Sequence, residues 1–325
     1  MNSTQANERR AAWSAYWAAG GLHSCIGSFP GNYAGAIGAH WQAVFAGLRP
    51  GQRVLDLATG NGALPLLLYS QFAEADGPQV DAVDLAEVAP AWYSSSHSSR
   101  VRFHSGVAME QLPFADASFD LVVSQFGFEY AQRDAALREA LRVAGPSGRL
   151  AFVMHHAGSV LVQVGRAEVA NQALLMAPAG LLPAAAAVIP WFAQARAGVS
   201  LAGNAQALAC REAYNAAMSE LATHIQASRV PDLLVEARDR IHGLLAGVGA
   251  DAAPSLRLLA SYREQWQAAG LRTSEMIGHA LDDRQVQELL TGLREARPGA
   301  RVGCEPLSQG EGVLGWALHL DPASA

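Results

Sequence analysis

From residue 53 onward the chain alternates short, nearly unbroken apolar runs with longer stretches whose apolar positions recur every three or four residues. RVLDLA, QVDAVDL, RVRFHSG, FDLVVSQF and RLAFVMHH are the short runs, and their lengths and flanking turn residues predict five strands. ALPLLLYSQF predicts a helix with Pro65 in its first turn, where proline is tolerated. QRDAALREALRVA predicts an amphipathic helix stopped by the GPSG turn. Strands separated by helices of this length imply right-handed βαβ units and a parallel sheet. The continuous apolar character of VLDLA, LVVSQF and LAFVM fits a sheet buried on both faces.

The flanks follow other patterns. Residues 8–48 predict helical segments joined by the Gly-, Ser- and Pro-rich loop HSCIGSFPGNYAG. Residues 160–269, rich in Ala, Leu and Gln and punctuated by five prolines, predict four or five helices and no strand. After 271 come the strand-like RTSEMIGHA, the helix DDRQVQELLTGLREA and the strand GVLGWALHL. The simplest topology returns those last strands to the sheet edge and leaves the helical block as an insertion over the face where ligands bind. In such sheets that face lies beyond the carboxyl ends of the strands.

Composition narrows the chemistry. With 325 residues, 50% hydrophobic and 16% charged, the chain can bury a large core. A net charge of −6 and the lack of any basic patch argue against nucleic acid as a partner. All 23 cationic side chains are arginine, so Schiff-base, lysine-nucleophile and P-loop chemistries are excluded. Cys25, Cys210 and Cys304 are odd in number and widely spaced. They suggest neither a disulfide framework nor a thiolate zinc site, and they fit a reducing cytoplasm. AAWSAYWAAGGLHSC after Arg9 and Arg10 has the outline of a signal peptide. Ser14, Tyr16 and Trp17 interrupt it, and His23 suits a cleavage site badly. No uninterrupted apolar run of about 18 residues is present, so no membrane span is expected.

The informative stretch is VLDLATGNGALP. Gly60 and Gly62 allow a sharp turn and a close backbone approach to a ligand, ahead of a helix N-terminus. A dinucleotide fingerprint would need a third glycine where Pro65 stands, which disfavours NAD and FAD. Asp56, just before the turn, suits an ammonium or sulfonium and is poor company for pyrophosphate. Asp84, 28 residues on at the end of the second strand, is placed to accept from two ribose hydroxyls. A cationic amino-acid moiety, a ribose and a base together describe S-adenosylmethionine. The competing reading is an ordinary α/β turn with a surface acid.

Four segments in order, VLDLATGNGALP, VDAVDL, SGVAMEQLPFADASFDLVVSQFGFEY and REALRVAGPSGRLAFVMHH, resemble the class I S-adenosylmethionine-dependent methyltransferases. The likeness is to the small-molecule branch that includes the ubiquinone and menaquinone methyltransferases, and it covers roughly residues 50–156. It implies that Asp56, Ala58, Gly60 and Gly62 hold the methionine end and Asp84, with Leu85 beside it, the ribose. It also implies adenine contacts at residues 107–109, here from Ala108 and Met109, and places Ser124 and Gln125 beside the transferring methyl. Two positions depart from the family pattern. Ala58 replaces the first glycine of the turn, and Val107 stands where an acid commonly binds the adenine amino group.

Methyl transfer is an in-line displacement, and holding the reacting atoms ~3 Å apart in line supplies ~7–11 kcal/mol. Acceptor-side candidates come from the ends of strands four and five: Phe126, Glu129, Tyr130, His155 and His156. Strand alternation points His155 and His156 to opposite faces, so one could serve as a base while both could not ligate one metal. Either could equally be a hydrogen-bonded structural histidine, and Glu129 is better read as a solvated acid at a helix start. Tyr33, in the Gly-rich loop, is read as closing over cofactor or acceptor. Tyr16, Trp17 and Phe29 could do the same, although an amphipathic helix burying its aromatics against the sheet explains Tyr16 and Trp17 equally well.

The expected fold is α/β, a Rossmann-like doubly wound, mostly parallel sheet with a large helical insertion before the last strands. Residues 1–48 would form a helical lid segment, 49–158 the cofactor-binding core, 159–269 a substrate lid, and 270–325 the strands and helix completing the core. The expected activity is S-adenosylmethionine-dependent methyl transfer to an O or N atom of a small molecule such as a secondary metabolite. The alternative is a cofactor-binding protein that has lost transfer or catalyses a non-methylating reaction. No metal, nucleic acid or membrane is expected, and a homodimer is compatible with the chain.

Overall fold

The computed structural model describes residues 3–24, 31–72 and 77–323, with side chains from residue 9 onward. Cys25 and Phe29 lie outside the described residues.

Seven strands form one sheet: β1 (Arg53–Leu57), β2 (Gln79–Asp84), β3 (Val101–Ser105), β4 (Leu121–Gln125), β5 (Arg149–Met154), β6 (Arg301–Gln309) and β7 (Gly312–Asp321). Their order is β3-β2-β1-β4-β5-β7-β6. β7 pairs antiparallel with both β5 and β6, and every other pairing is parallel. The chain winds outward from β1 to β3 and then returns to place β4 on the other side of β1. The tips of β1 and β4 therefore flank a topological switch point, where such sheets open a crevice.

Both faces of the sheet are covered. Helices α1 (Ser3–Ala18), α2 (Gly35–Ala46), α3 (Ala63–Gln71) and α4 (Arg133–Ala144) belong to the N-terminal half, and α10 (Asp283–Ala296) precedes β6. Ile37, Trp41 and Phe45 of α2 pack with Leu64 and Leu68 of α3 against one side. Leu137 and Leu141 of α4 pack with Leu290 and Leu293 of α10 on the other. The apolar residues of α10, Val286, Leu289, Leu290 and Leu293, form a single stripe at helical spacing. Asp282 caps its start in a capping box with Gln285.

Between α4 and α10 run α5 (Val160–Met176), α6 (Leu181–Arg196), α7 (Ala205–Ala227), α8 (Asp232–Ala246) and α9 (Ala253–His279). The chain divides into two compact units: Met1–Gln163 with Glu275–Ala325, and Val164–Ser274. The second unit is all helical, around a core that includes Leu181, Ile189, Leu221, Ile241 and Trp266. It starts at Val164 rather than 159 and ends at Ser274 rather than 269.

Two expectations near the C-terminus are corrected. RTSEMIGHA is the last part of α9 and not a strand. Gly270 sits inside that helix, where an added Cβ would collide with the Gln172 side chain. The strand that precedes β7 is instead RVGCEPLSQ, β6, whose residues are half-buried or exposed. It is an edge strand, where Pro306 costs little, and it carries no clear alternation to reveal it. The membrane expectation also changes in its premise. Val160–Arg196 contains an 18-residue window long and apolar enough to cross a membrane by length and composition. The structure divides that stretch into α5 and α6, and Leu181, Leu182, Ala185, Val188 and Ile189 are buried in the helical unit.

Candidate functional site

The crevice at the switch point is an open cavity enclosing about 1040 Å³, its open mouth included. Its floor is the tips of β1, β2 and β4, and its roof is α1.

At the tip of β1, Asp56 is 2% exposed, and its Oδ2 accepts from the Thr59 hydroxyl at 2.6 Å. Burial pushes its carboxyl up to about 8, the Thr59 hydrogen bond pulls the other way, and the charge of Asp84 adds to the rise. At the tip of β2, Asp84 accepts from the Gly60 N–H and the Ala86 N–H, both at 2.8 Å. Burial nonetheless raises it to about 6, against those two hydrogen bonds. Two buried carboxyls thus share one cavity, along with Ala58, Leu85, Ala108 and Met109. The competing reading of a surface acid is overturned for both.

The turn between β1 and α3 is left-handed at Ala58 (φ 53°), Gly60 (φ 54°) and Gly62 (φ 76°). Ala58 therefore holds a conformation that costs a non-glycine residue about 1–2 kcal/mol. The two glycines do not make room for a ligand, as the sequence had suggested. A Cβ on Gly60 would stand 2.5 Å from the Trp17 ring, and one on Gly62 would stand 2.6 Å from the Phe103 ring. Neither glycine is in the cavity wall. The turn is compact so that aromatic side chains can close on it.

α1 forms the roof through contacts to three strand-tip loops. The Asn61 amide donates to the carbonyls of Trp17 and Gly21, both at 2.8 Å. Arg10 pairs with Glu87 beyond β2, and Arg9 donates to the Tyr130 carbonyl beyond β4 while pairing with Glu275. Trp13 and Trp17 stack at 5.6 Å, and both line the cavity. Tyr33 lies 6% exposed in the wall, with His23 stacked on its ring at 4.5 Å. Sequence reasoning missed Trp13, His23, Thr59 and Asn61. The Trp13 and Trp17 pair, four apart on one helix face, was the available signal.

On the β4 side, Gln125, Phe126 and Tyr130 line the cavity. Phe126 is left-handed (φ 53°), a rare state for an aromatic residue, and it turns its ring onto His155 at 4.1 Å. Ser124 does not reach the cavity: it is fully buried, donates to the Leu57 carbonyl and accepts from the Phe128 N–H. The two histidines diverge as strand alternation requires. His155 is 2% exposed, and its Nδ1 lies 2.7 Å from Glu129 Oε1, which also accepts the His155 N–H. His156 stacks on Trp316 at 4.3 Å. Neither is in the wall, because His155 stands behind Phe126. Glu129 is not the solvated acid expected. It is 1% exposed and ties the short turn Phe128–Tyr130 to the end of β5.

Residues 54–148 match the family model described as a methyltransferase domain. The match to a methyltransferase domain is thus confined to this segment, under a third of the chain. The chain is 41% identical over 103 residues to a demethylmenaquinone methyltransferase of Thermus thermophilus, covering 30% of this chain and 45% of that one. It is 36% identical over 117 residues to a malonyl-[acyl-carrier protein] O-methyltransferase of Methylococcus capsulatus, covering 34% and 42%. It is 37% identical over 114 residues to a ubiquinone/menaquinone biosynthesis C-methyltransferase of Ectopseudomonas mendocina, covering 32% and 42%. The matched part of the chain thus spans less than half the length of each relative. The methyltransferase core contains Asp56, Asp84, Gln125 and the Phe126–Tyr130 wall; the roof helix and the Val164–Ser274 helices lie outside the matched segment.

Proposed function

We propose that this chain binds S-adenosylmethionine in the crevice above β1, β2 and β4 and methylates a small molecule held beside it. The observation that carries this reading is the pair of buried carboxyls, Asp56 and Asp84, opening into one cavity. A carboxyl raised to about 8 by burial has too little compensation in the protein alone, and a cationic ligand would supply it. Asp56 would take the cationic amino-acid end, Asp84 the ribose, and Val107, Ala108 and Met109 the base. When bound, the cofactor supplies a methyl group already activated by its sulfonium. The protein places the acceptor, through Phe126, Tyr130 and Trp13, and keeps water out with α1.

The acceptor in this reading is an oxygen or nitrogen of a small metabolite, secondary metabolites among them. With His155 and His156 behind the wall, it is a group that is nucleophilic without a base from β5, such as a free amine or an ionised hydroxyl. The names of the relatives include both O- and C-methyltransferases, so the shared core leaves the acceptor atom to the parts outside it. The helices of Val164–Ser274 are the part proposed to select the acceptor. The net charge of −6 and the scattered cysteines support a small-molecule partner in a reducing cytoplasm.

The test combines two measurements. Calorimetry should give micromolar S-adenosylmethionine binding that Asp84→Ala abolishes. Methyl-labelled cofactor with cell extract should then yield a labelled small product. Wild-type-like affinity in Asp84→Ala would overturn the pocket assignment.

A further inference from the structure

Gln125 stands at the tip of β4, 8% exposed, and lines the cavity. Its Oε1 accepts a short hydrogen bond from the indole Nε1–H of Trp41 on α2. Its Nε2 is buried and has no partner among the described residues. Trp41 is fully buried and stacked on Phe45 at 5.6 Å, so its N–H has one direction available.

This contact decides the polarity of the site. An indole nitrogen only donates, so the amide oxygen must face it. A flipped amide would set two donors against each other. The amide's NH2 end is therefore held away from Trp41 with both protons unused, and a buried donor left unsatisfied carries a desolvation cost that a ligand can relieve. Asp56 and Asp84 in the same cavity accept and do not donate when ionised, whereas the Gln125 amide brings a buried, unpartnered donor to the β4 side.

We propose that Trp41 locks the Gln125 amide so that it presents N–H donors to the cavity, and that Gln125 thereby selects a ligand group carrying an acceptor oxygen. The inference rests on the reading of the cavity as a cofactor and acceptor site. Gln125 is the specificity-determining residue and Trp41 the positioning residue. The oxygen has two sources with the same chemistry, the carboxylate of the cofactor or a carbonyl or oxyanion of the methyl acceptor.

The experiment uses two ligand pairs that differ only in that oxygen. One pair is S-adenosylmethionine and its decarboxylated form. The other, added to protein saturated with S-adenosylhomocysteine, is acetophenone and α-methylstyrene, in which CH2 replaces the carbonyl oxygen. Dissociation constants are measured for the wild type, for Gln125→Met, which keeps the volume and removes the donor, and for Trp41→Phe, which frees the amide to rotate. The wild type should prefer the oxygen-bearing member of one pair by about tenfold, the scale of one hydrogen bond. Gln125→Met should erase that preference while changing the affinity of the oxygen-free member less than about twofold, and Trp41→Phe should reduce it partway. Loss of preference within the first pair assigns the cofactor carboxylate, and within the second the acceptor. An unchanged preference in both pairs in folded Gln125→Met would overturn the proposal. Failure of the folded wild type to bind S-adenosylmethionine or S-adenosylhomocysteine would instead overturn the functional reading beneath it.

Discussion

At the residue scale the decisive feature is a carboxyl whose proton is held by burial. Asp56 has its value raised to about 8, and Asp84 to about 6, above the usual carboxylate range. The folded protein therefore binds more protons than the unfolded chain between about pH 4 and pH 8, and its stability falls as pH rises through that window. The melting temperature of the ligand-free protein should drop between pH 5 and pH 8.5, with the Asp84 part complete near pH 6 and the Asp56 part near pH 8. Asp56→Asn should flatten the upper half of that drop, and a melting curve as steep in the variant as in the wild type would exclude Asp56 as its source. Gly60→Ala tests the turn in another way. The added Cβ meets Trp17 at 2.5 Å in a left-handed residue, so the melting temperature should fall by about 2–4 °C for each kcal/mol of strain. Tryptophan emission should shift as Trp17 leaves its place. Asp56 and Asp84 were legible in the sequence because their chemistry depends on type and position along a strand. The clamp of Trp41 on Gln125 was not, since Trp41 sits in an apolar helix and nothing in its neighbours distinguishes a packed indole from one that orients an amide.

At the scale of elements, the five strands from β1 to β5 and the helices between them were readable from apolar run length alone, because a sheet buried on both faces leaves little else it could be. Reading failed where packing overrides pattern. Gly270 lies inside α9 because Gln172 occupies the space a Cβ would need, and β6 is an exposed edge with no buried face to impose alternation. The glycine-rich turn was read as a ligand cradle, yet its space is taken by Trp17 and Phe103. Its other function is to dock α1. The Asn61 amide donates twice to the segment that ends α1, at Trp17 and Gly21, while Arg10 and Glu87, both largely exposed, add little. Asn61→Ala would leave two carbonyls without their donor, a loss of about 1–3 kcal/mol in the docking of α1. Because Trp13 and Trp17 roof the cavity, the cofactor dissociation rate should rise about tenfold in that variant, the equivalent of 1.4 kcal/mol, with a smaller change in the association rate. Stopped-flow fluorescence would measure both. An unchanged dissociation rate with a lowered melting temperature would make Asn61 a structural staple only.

For the whole molecule, the proposed function raises the question of how a chain that resembles C- and O-methyltransferases over about a third of its length would select an acceptor. Among the described residues the cavity wall is drawn from Met1–Gln163, and Arg9 and Trp13 of the roof are tied to Glu275, where the chain re-enters the same unit. The Val164–Ser274 helices have a separate core, with Leu181, Ile189, Leu234, Ile241 and Trp266 buried among themselves. The proposed function puts cofactor binding and acceptor selection on different stretches of chain, and excision tests that division. Replacing residues 164–274 with a Gly/Ser linker keeps Asp56, Asp84, Gln125, Glu275 and β7. S-adenosylmethionine affinity, which depends on those residues, should stay within about threefold, a difference below 1 kcal/mol. Transfer to the acceptor found with the full chain should fall at least a hundredfold, because placement in line accounts for several kcal/mol of the barrier. Calorimetry and initial rates on the same preparation decide the matter. Equal loss of binding and transfer in a folded variant would mean that the helical unit is part of the cofactor-binding core itself.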